Sequence, residues 1–149
     1  MKAKNVKYLL KFHSFYADRI ASLKKQLIKL KKSLSPQEYR EHPEVKFAAR
    51  LRKATQEIIP EDPDRSEYRL KGSLKKFRRY KQGLQRYRLF FCFSNKPPII
   101  VYLYINDRNS LRKEGSKQDP YSIFSKMVDR GELSSNPTDP KLHSWISGI

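Results

Sequence analysis

The hydrophobic period of this chain changes once, across a proline-rich boundary, and that change dictates two kinds of layer. From about Ser14 to Leu34, Tyr16, Ile20, Leu23, Leu27, Leu30 and Leu34 recur at alternating spacings of four and three. That is the stripe of an amphipathic helix. It is too short for a coiled coil, so the helix is expected to pack within a domain. Ser35-Pro36-Gln37-Glu38 then supplies an N-cap, a proline for the first helical position and a capping-box glutamate. Pro43 is expected to kink or restart this second helix, which continues through Val45, Ala48, Leu51, Ala54 and Ile58 until "PEDPD" (60–64) stops it. The short turn between the two helices predicts an antiparallel hairpin.

Beyond that boundary the period becomes two. "KKFRRYK" (75–81), "LQRYRLFFCF" (84–93) and "IIVYLYI" (99–105) predict three antiparallel strands, the last and most apolar being central. In the second of these, alternation places Arg86, Arg88 and Phe90 on one face and Tyr87, Leu89 and Phe91 on the other. Val6–Lys11 is expected as a short edge strand bearing lysines. A polar loop spans 106–118, and Asp119-Pro120 opens a final helix carrying Tyr121, Phe124, Met127 and Val128, with Gly131 beyond its end. The proline-marked stretch 134–149 is expected to be a loose tail. The order strand, helical hairpin, antiparallel sheet, short helix predicts one α+β domain over residues 1–149.

Charge narrows the partners. The chain of 149 residues has 33 Lys+Arg against 15 Asp+Glu, a formal net charge of +18. A polyanion or an acidic partner is therefore expected. Between Glu67 and Asp107 there is no acid, while Arg69, Lys71, Lys75, Lys76, Arg78, Arg79, Lys81, Arg86, Arg88 and Lys96 stand among Phe77, Tyr80, Tyr87, Phe90 and Phe91. Cations suit phosphates and aromatics suit exposed bases. With no acid in the interval to neutralise them, polyanion binding outweighs an ordinary solvated face. No apolar run approaches the roughly 20 residues needed to span a bilayer, and Tyr8-Leu9-Leu10 is too short for a signal-peptide core. Cys92 is the single cysteine, and His13, His42 and His143 are far apart, so neither a disulfide, a metal site nor a cofactor is expected. A soluble cytoplasmic protein is the expectation.

The residues also carry a resemblance. "RYRLFF" (86–91), then Asn106-Asp107, Leu111-Arg112, Gly115, Lys117, Asp119, Tyr121, Phe124-Ser125-Lys126-Met127 and Gly131, resemble the YhaV family of bacterial type II toxins. His13, Phe15 and Tyr39 match more weakly upstream. Cys92, Tyr104 and Arg108 depart from the family's usual residues. The resemblance implies a RelE-like toxin fold, cleavage of messenger RNA, often on the ribosome, and neutralisation by an acidic PrlF-like antitoxin.

Such cleavage requires a 2′-hydroxyl deprotonated, a phosphate neutralised and a leaving 5′-oxygen protonated. Without clustered histidines or carboxylates, lysine, arginine and tyrosine must share these tasks. Crowding among cations disfavours one more positive charge, which makes Lys81 the candidate base. Arg88, at the family's strand arginine, and Arg112 are candidate phosphate clamps. Tyr121 stacks on a base, assists proton transfer, or is an ordinary core tyrosine. Further phosphate contacts are expected from Lys75, Lys76, Arg78, Arg79, Arg86, Lys117 and Lys126. Two other readings stand beside this one. Composition alone fits a non-catalytic RNA- or ribosome-binding protein, and the fold alone fits a ParE-like toxin acting on another target such as gyrase.

Overall fold

The computed structural model describes residues 7–148, with the backbone alone for 143–148. Strand β1 (Leu9–His13) runs straight into helix α1 (Ser14–Ser33). His13 caps that helix, its Nδ1 accepting the Phe15 N–H at 3.1 Å. Ser35 and Glu38 then form the reciprocal capping box that opens α2 (Pro36–Glu41), with bonds of 3.1 and 2.9 Å. Pro43 has no N–H to continue that helix, so the chain breaks at His42 and restarts as α3 (Pro43–Lys53). A π turn (Ala54–Ile58) and α4 (Ile59–Glu61) prolong it to the proline-rich stop. In the π turn the Thr55 hydroxyl donates to the Leu51 carbonyl at 3.0 Å, and the Tyr102 hydroxyl donates to the Thr55 carbonyl at 2.6 Å. The irregular turn is thereby pinned to the sheet.

The remaining strands are β2 (Arg78–Tyr80), β3 (Leu89–Asn95), β4 (Pro98–Ile105) and β5 (Ile146–Gly148), and helix α5 (Pro120–Asp129) lies between the last two. The sheet order is β2-β3-β4-β1-β5. The β2–β3 and β3–β4 pairs are antiparallel as expected, and β4 is near the middle. The first strand is a correction. It begins at Leu9, pairs parallel with β4 (Leu9 opposite Ile99, Phe12 opposite Tyr102), and has β5 on its other side. It is therefore not an edge. Val6 lies outside the described residues.

The tail is a second correction. Leu133 and Leu142 are buried, and β5 returns along β1, so 134–148 is built into the domain. Leu142 within it, and Leu133 just before it, carry no period that a sequence reading detects. A third concerns β3, which starts at Leu89 and leaves Arg86 and Arg88 in the turn before it. Gly83 (φ 75°) and Gln85 (φ 55°) take the left-handed region, which interrupts the extended backbone.

Both faces of the sheet are covered. On one, Tyr16, Leu23, Leu51, Leu89, Phe91 and Tyr102 form a core beneath α1 and α3. On the other, Phe90, Val101, Leu103, Tyr104, Phe124 and Leu133 pack beneath α5. Burial on both sides explains why β4 reads as an unbroken apolar run. It also removes the expected division of β3 into a basic face and a core face. A register shift between Phe90 and Phe91 lets Leu103 and Tyr104 both join the second core. Phe124 stacks on Phe90 at 4.2 Å between ring centroids, anchoring α5 at the end of the sheet that carries β2 and β3.

Candidate active site

Asp119 organises the start of α5. One carboxylate oxygen accepts the Tyr121 N–H at 3.0 Å, which caps the helix. The other accepts the Lys113 N–H at 2.7 Å and the Arg112 Nη1 at 2.8 Å. The carboxylate is only 3 % exposed, so three donors satisfy a charge that would otherwise be costly to bury. This bond is the first cause that raises the Arg112 pKa, and the guanidinium stays charged.

From that anchor Arg112 lies over the Tyr121 ring, 4.8 Å from its centroid. The Tyr121 ring meets Phe90 edge-on at 5.4 Å, and its hydroxyl accepts Arg79 Nη1 at 3.1 Å. Arg79 reaches it because it sits opposite Phe90 on β2, on the α5 side of the sheet. Its other terminal nitrogen donates to the Glu67 carbonyl at 2.8 Å. A half-buried phenol is thus held between two guanidinium groups from different elements. Arg86 adjoins them, its Nε donating to the Arg112 carbonyl at 3.1 Å while its own carbonyl accepts the Arg112 N–H at 2.9 Å.

The structure brings together Arg112, Tyr121, Arg79 and Arg86. Arg88 stands on the neighbouring turn, with Nη1 donating to the carbonyls of Gln85 and Tyr87. The Nε groups of Arg88 and Arg79 are buried and have no hydrogen-bond partner among the described residues. Lys81 is exposed just beyond β2, and no hydrogen bond among the described residues joins its side chain to Arg88, Arg112 or Tyr121. Lys75, Lys76, Lys117 and Lys126 are exposed, the first two shortly before β2, the third in the loop before α5 and the last on α5. Arg78 alternates with Arg79 on β2 and pairs with Asp64 at 3.1 Å, beside the Phe93 ring. The acid-free interval is therefore not without counter-charges. Folding brings Asp64 to Arg78 and Arg69 from one side and Asp119 to Arg112 from the other.

Cys92 and His13 are buried away from these arginines. Burial pushes the Cys92 thiol up, so it is protonated and inert as a nucleophile. Burial also lowers the His13 pKa to about 4, against the opposing backbone hydrogen bond and charge of Glu132. Its imidazole is neutral at neutral pH. No three His, Cys, Asp or Glu side chains come together among the described residues. No described helix is long and apolar enough to cross a membrane.

Sequence reasoning missed two parts of this arrangement. Arg79 was expected only as a phosphate contact, yet it holds Tyr121. Asn106 carries the resemblance without an expected role, yet it is fully buried and binds the turn that carries Arg86 and Arg88. Nothing local signals either one, because both depend on pairing across the sheet.

An α+β fold with guanidinium groups gathered about a phenol, with exposed lysines on the flanking elements, is suited to holding and polarising a phosphodiester. These are the features of a candidate nuclease-type site. Among known proteins, the model of the YhaV toxin family, described as a toxin with endonuclease activity of a toxin-antitoxin system, matches residues 10–140. The chain belongs to this family, and it is an endonuclease toxin of a toxin-antitoxin system. Ribonuclease toxin YhaV of Escherichia coli K12 is 38% identical over 105 residues, covering 67% of this chain and 68% of the relative. Toxin YhaV of Escherichia coli O157:H7 matches with the same identity and coverage. A solved toxin–antitoxin complex, RelBE2 of Mycobacterium tuberculosis, is similar at a TM-score of 0.42 and 18% identity, over 69% of this chain and 100% of that one.

Proposed function

We propose that this protein is a ribonuclease toxin that cleaves messenger RNA at the ribosome and is silenced by an acidic, PrlF-like antitoxin. The observation that carries this reading is the Tyr121 hydroxyl held by Arg79 beneath the Arg112 guanidinium. The ribonuclease name of its Escherichia coli relative supports it. The element order of strand, helical hairpin, antiparallel strands and short helix supports a RelE-like toxin fold. The cytoplasm is the compartment where such a toxin meets its substrate.

In the proposed reaction the 2′-oxygen attacks phosphorus, its proton passing to a base, for which Lys81 is the candidate. The bond from phosphorus to the 5′-oxygen breaks, and that oxygen takes up a proton from solvent. A 2′,3′-cyclic phosphate and a free 5′-hydroxyl result. Arg112 and Arg88 neutralise the charge that grows on the phosphate oxygens, and they do so without reorganisation because their hydrogen bonds already fix them. Tyr121 supports the leaving oxygen through its Arg79-bound hydroxyl. Arg86, Arg79, Lys75, Lys76, Lys117 and Lys126 hold the flanking backbone, with Arg78 the most committed to the fold through Asp64.

Inducible expression with and without the neighbouring reading frame tests this. Growth arrest, RNA fragments ending in 2′,3′-cyclic phosphate, and rescue by a small acidic partner are expected. A protein that binds RNA but neither cuts it nor arrests growth is a binding module. Growth arrest with intact RNA points to a target other than messenger RNA.

A further inference from the structure

We propose that Asn106 is a positioning residue for the cleavage reaction: one buried side-chain amide locks the backbone carrying Arg86 and Arg88 to the loop carrying Arg112. The inference deepens the ribonuclease reading above and rests on it. Strand β4 ends at Ile105, whose partner Leu89 begins β3. One residue further the backbone ladder stops, and the Asn106 side chain takes over. Its Oδ1 accepts the Arg88 N–H at 2.7 Å, and its Nδ2 donates to the Arg86 carbonyl at 3.2 Å and the Ser110 carbonyl at 2.7 Å. The Arg86 carbonyl also accepts the Arg112 N–H at 2.9 Å. The Asn106 backbone is held from the far side, its carbonyl accepting Arg19 Nε from α1 at 3.2 Å.

The amide uses both of its donors and its acceptor, and all three partners are backbone groups. Asn106 is 0 % exposed, so water does not replace a lost bond at its side chain. No other residue type offers the same set at the same reach. An ionised aspartate keeps the acceptor but turns an oxygen toward two carbonyls, and glutamine carries the same groups one methylene further out. Arg86 and Arg88 precede the strand, so the ladder does not place them; the Asn106 amide does. A shift of about 1 Å in such a group costs on the order of a hundredfold in rate.

The test compares wild type, Asn106→Gln, Asn106→Asp, Arg112→Ala and the Asn106→Gln/Arg112→Ala double variant. Each is checked for folding by circular dichroism and assayed with a single-stranded RNA oligonucleotide. Folded Asn106 variants with kcat lower by on the order of a hundredfold and KM barely changed are expected, since the exposed lysines still hold the RNA. The double variant is expected to lose less than the product of the two single losses, because Asn106 acts in part by holding the loop that carries Arg112. Full kcat in folded Asn106→Gln overturns the proposal. So do additive losses in the double variant, or failure of both Asn106 variants to fold, which makes Asn106 a folding residue only. Full activity of Arg112→Ala sinks the site reading instead, and the lock with it.

Discussion

Replacing Asp119 separates the two tasks its carboxylate performs. The side chain caps α5 through the Tyr121 N–H and anchors Arg112 through a charged hydrogen bond, with the Lys113 N–H as a third partner. Loss of an N-cap costs about 1 kcal/mol. Loss of a hydrogen bond to a charged group costs about 1.5–3 kcal/mol. Asp119→Ala loses both and is expected to destabilise the fold by about 2.5–4 kcal/mol. Asp119→Ser keeps a capping oxygen but is too short to hold the arginine, so it should recover about 1 kcal/mol of that loss. Activity should not recover with it. With Arg112 released from its place over Tyr121, RNA cleavage by Asp119→Ser should fall on the order of a hundredfold. Urea melts followed by circular dichroism give the stabilities, and single-turnover cleavage gives the rates. The reasoning is refuted if Asp119→Ser cuts RNA at the wild-type rate, or if Asp119→Ala is as stable as wild type.

Two further outcomes follow from charge. His13 is buried with its pKa lowered to about 4, against an ordinary value near 6.5, so below that value the unfolded chain takes up a proton that the native state refuses. Stability is full above about pH 6.5 and is expected to drop by about 2 kcal/mol between pH 7 and pH 5 from this group. His13→Asn, which retains a capping oxygen, should flatten that part of the profile in parallel melts; an unchanged profile would clear His13 of the effect. RNA affinity, measured on inactive Arg112→Ala, should fall steeply with salt because Lys75, Lys76, Lys117 and Lys126 are exposed on the flanking elements. A log–log slope near zero would place RNA elsewhere.

What the sequence makes legible is what neighbouring residues decide. Ser35 and Glu38 announce a helix start three residues apart, Pro43 breaks a helix by lacking an N–H, and Asp119-Pro120 opens α5, and each device stands in the structure. Arg112 and Tyr121 were named as site residues separately, and α5 brings them together. Long-range pairing was not legible. The parallel partnership of β1 with β4 joins Leu9 to Ile99, and the return of β5 along β1 depends on where the last residues lead. Alternation through 84–93 suggested a strand carrying Arg86 and Arg88, but the positive φ of Gln85 turns the chain before Leu89. Arg79 and Tyr121 meet only because β2 pairs with β3 and α5 packs on Phe90.

The paired guanidinium–phenol site is tested most directly by cleavage of RNA with three proteins: wild type, Arg112→Ala and Tyr121→Phe. Tyr121→Phe removes only the hydroxyl that Arg79 holds, leaving the ring under Arg112 and against Phe90. Losing one preorganised donor to the transition state costs on the order of a hundredfold or more, so Arg112→Ala should lose at least that in kcat while remaining folded. Tyr121→Phe should lose a smaller but clear part of the rate. Wild-type cleavage by folded Arg112→Ala and Tyr121→Phe together would contradict the site.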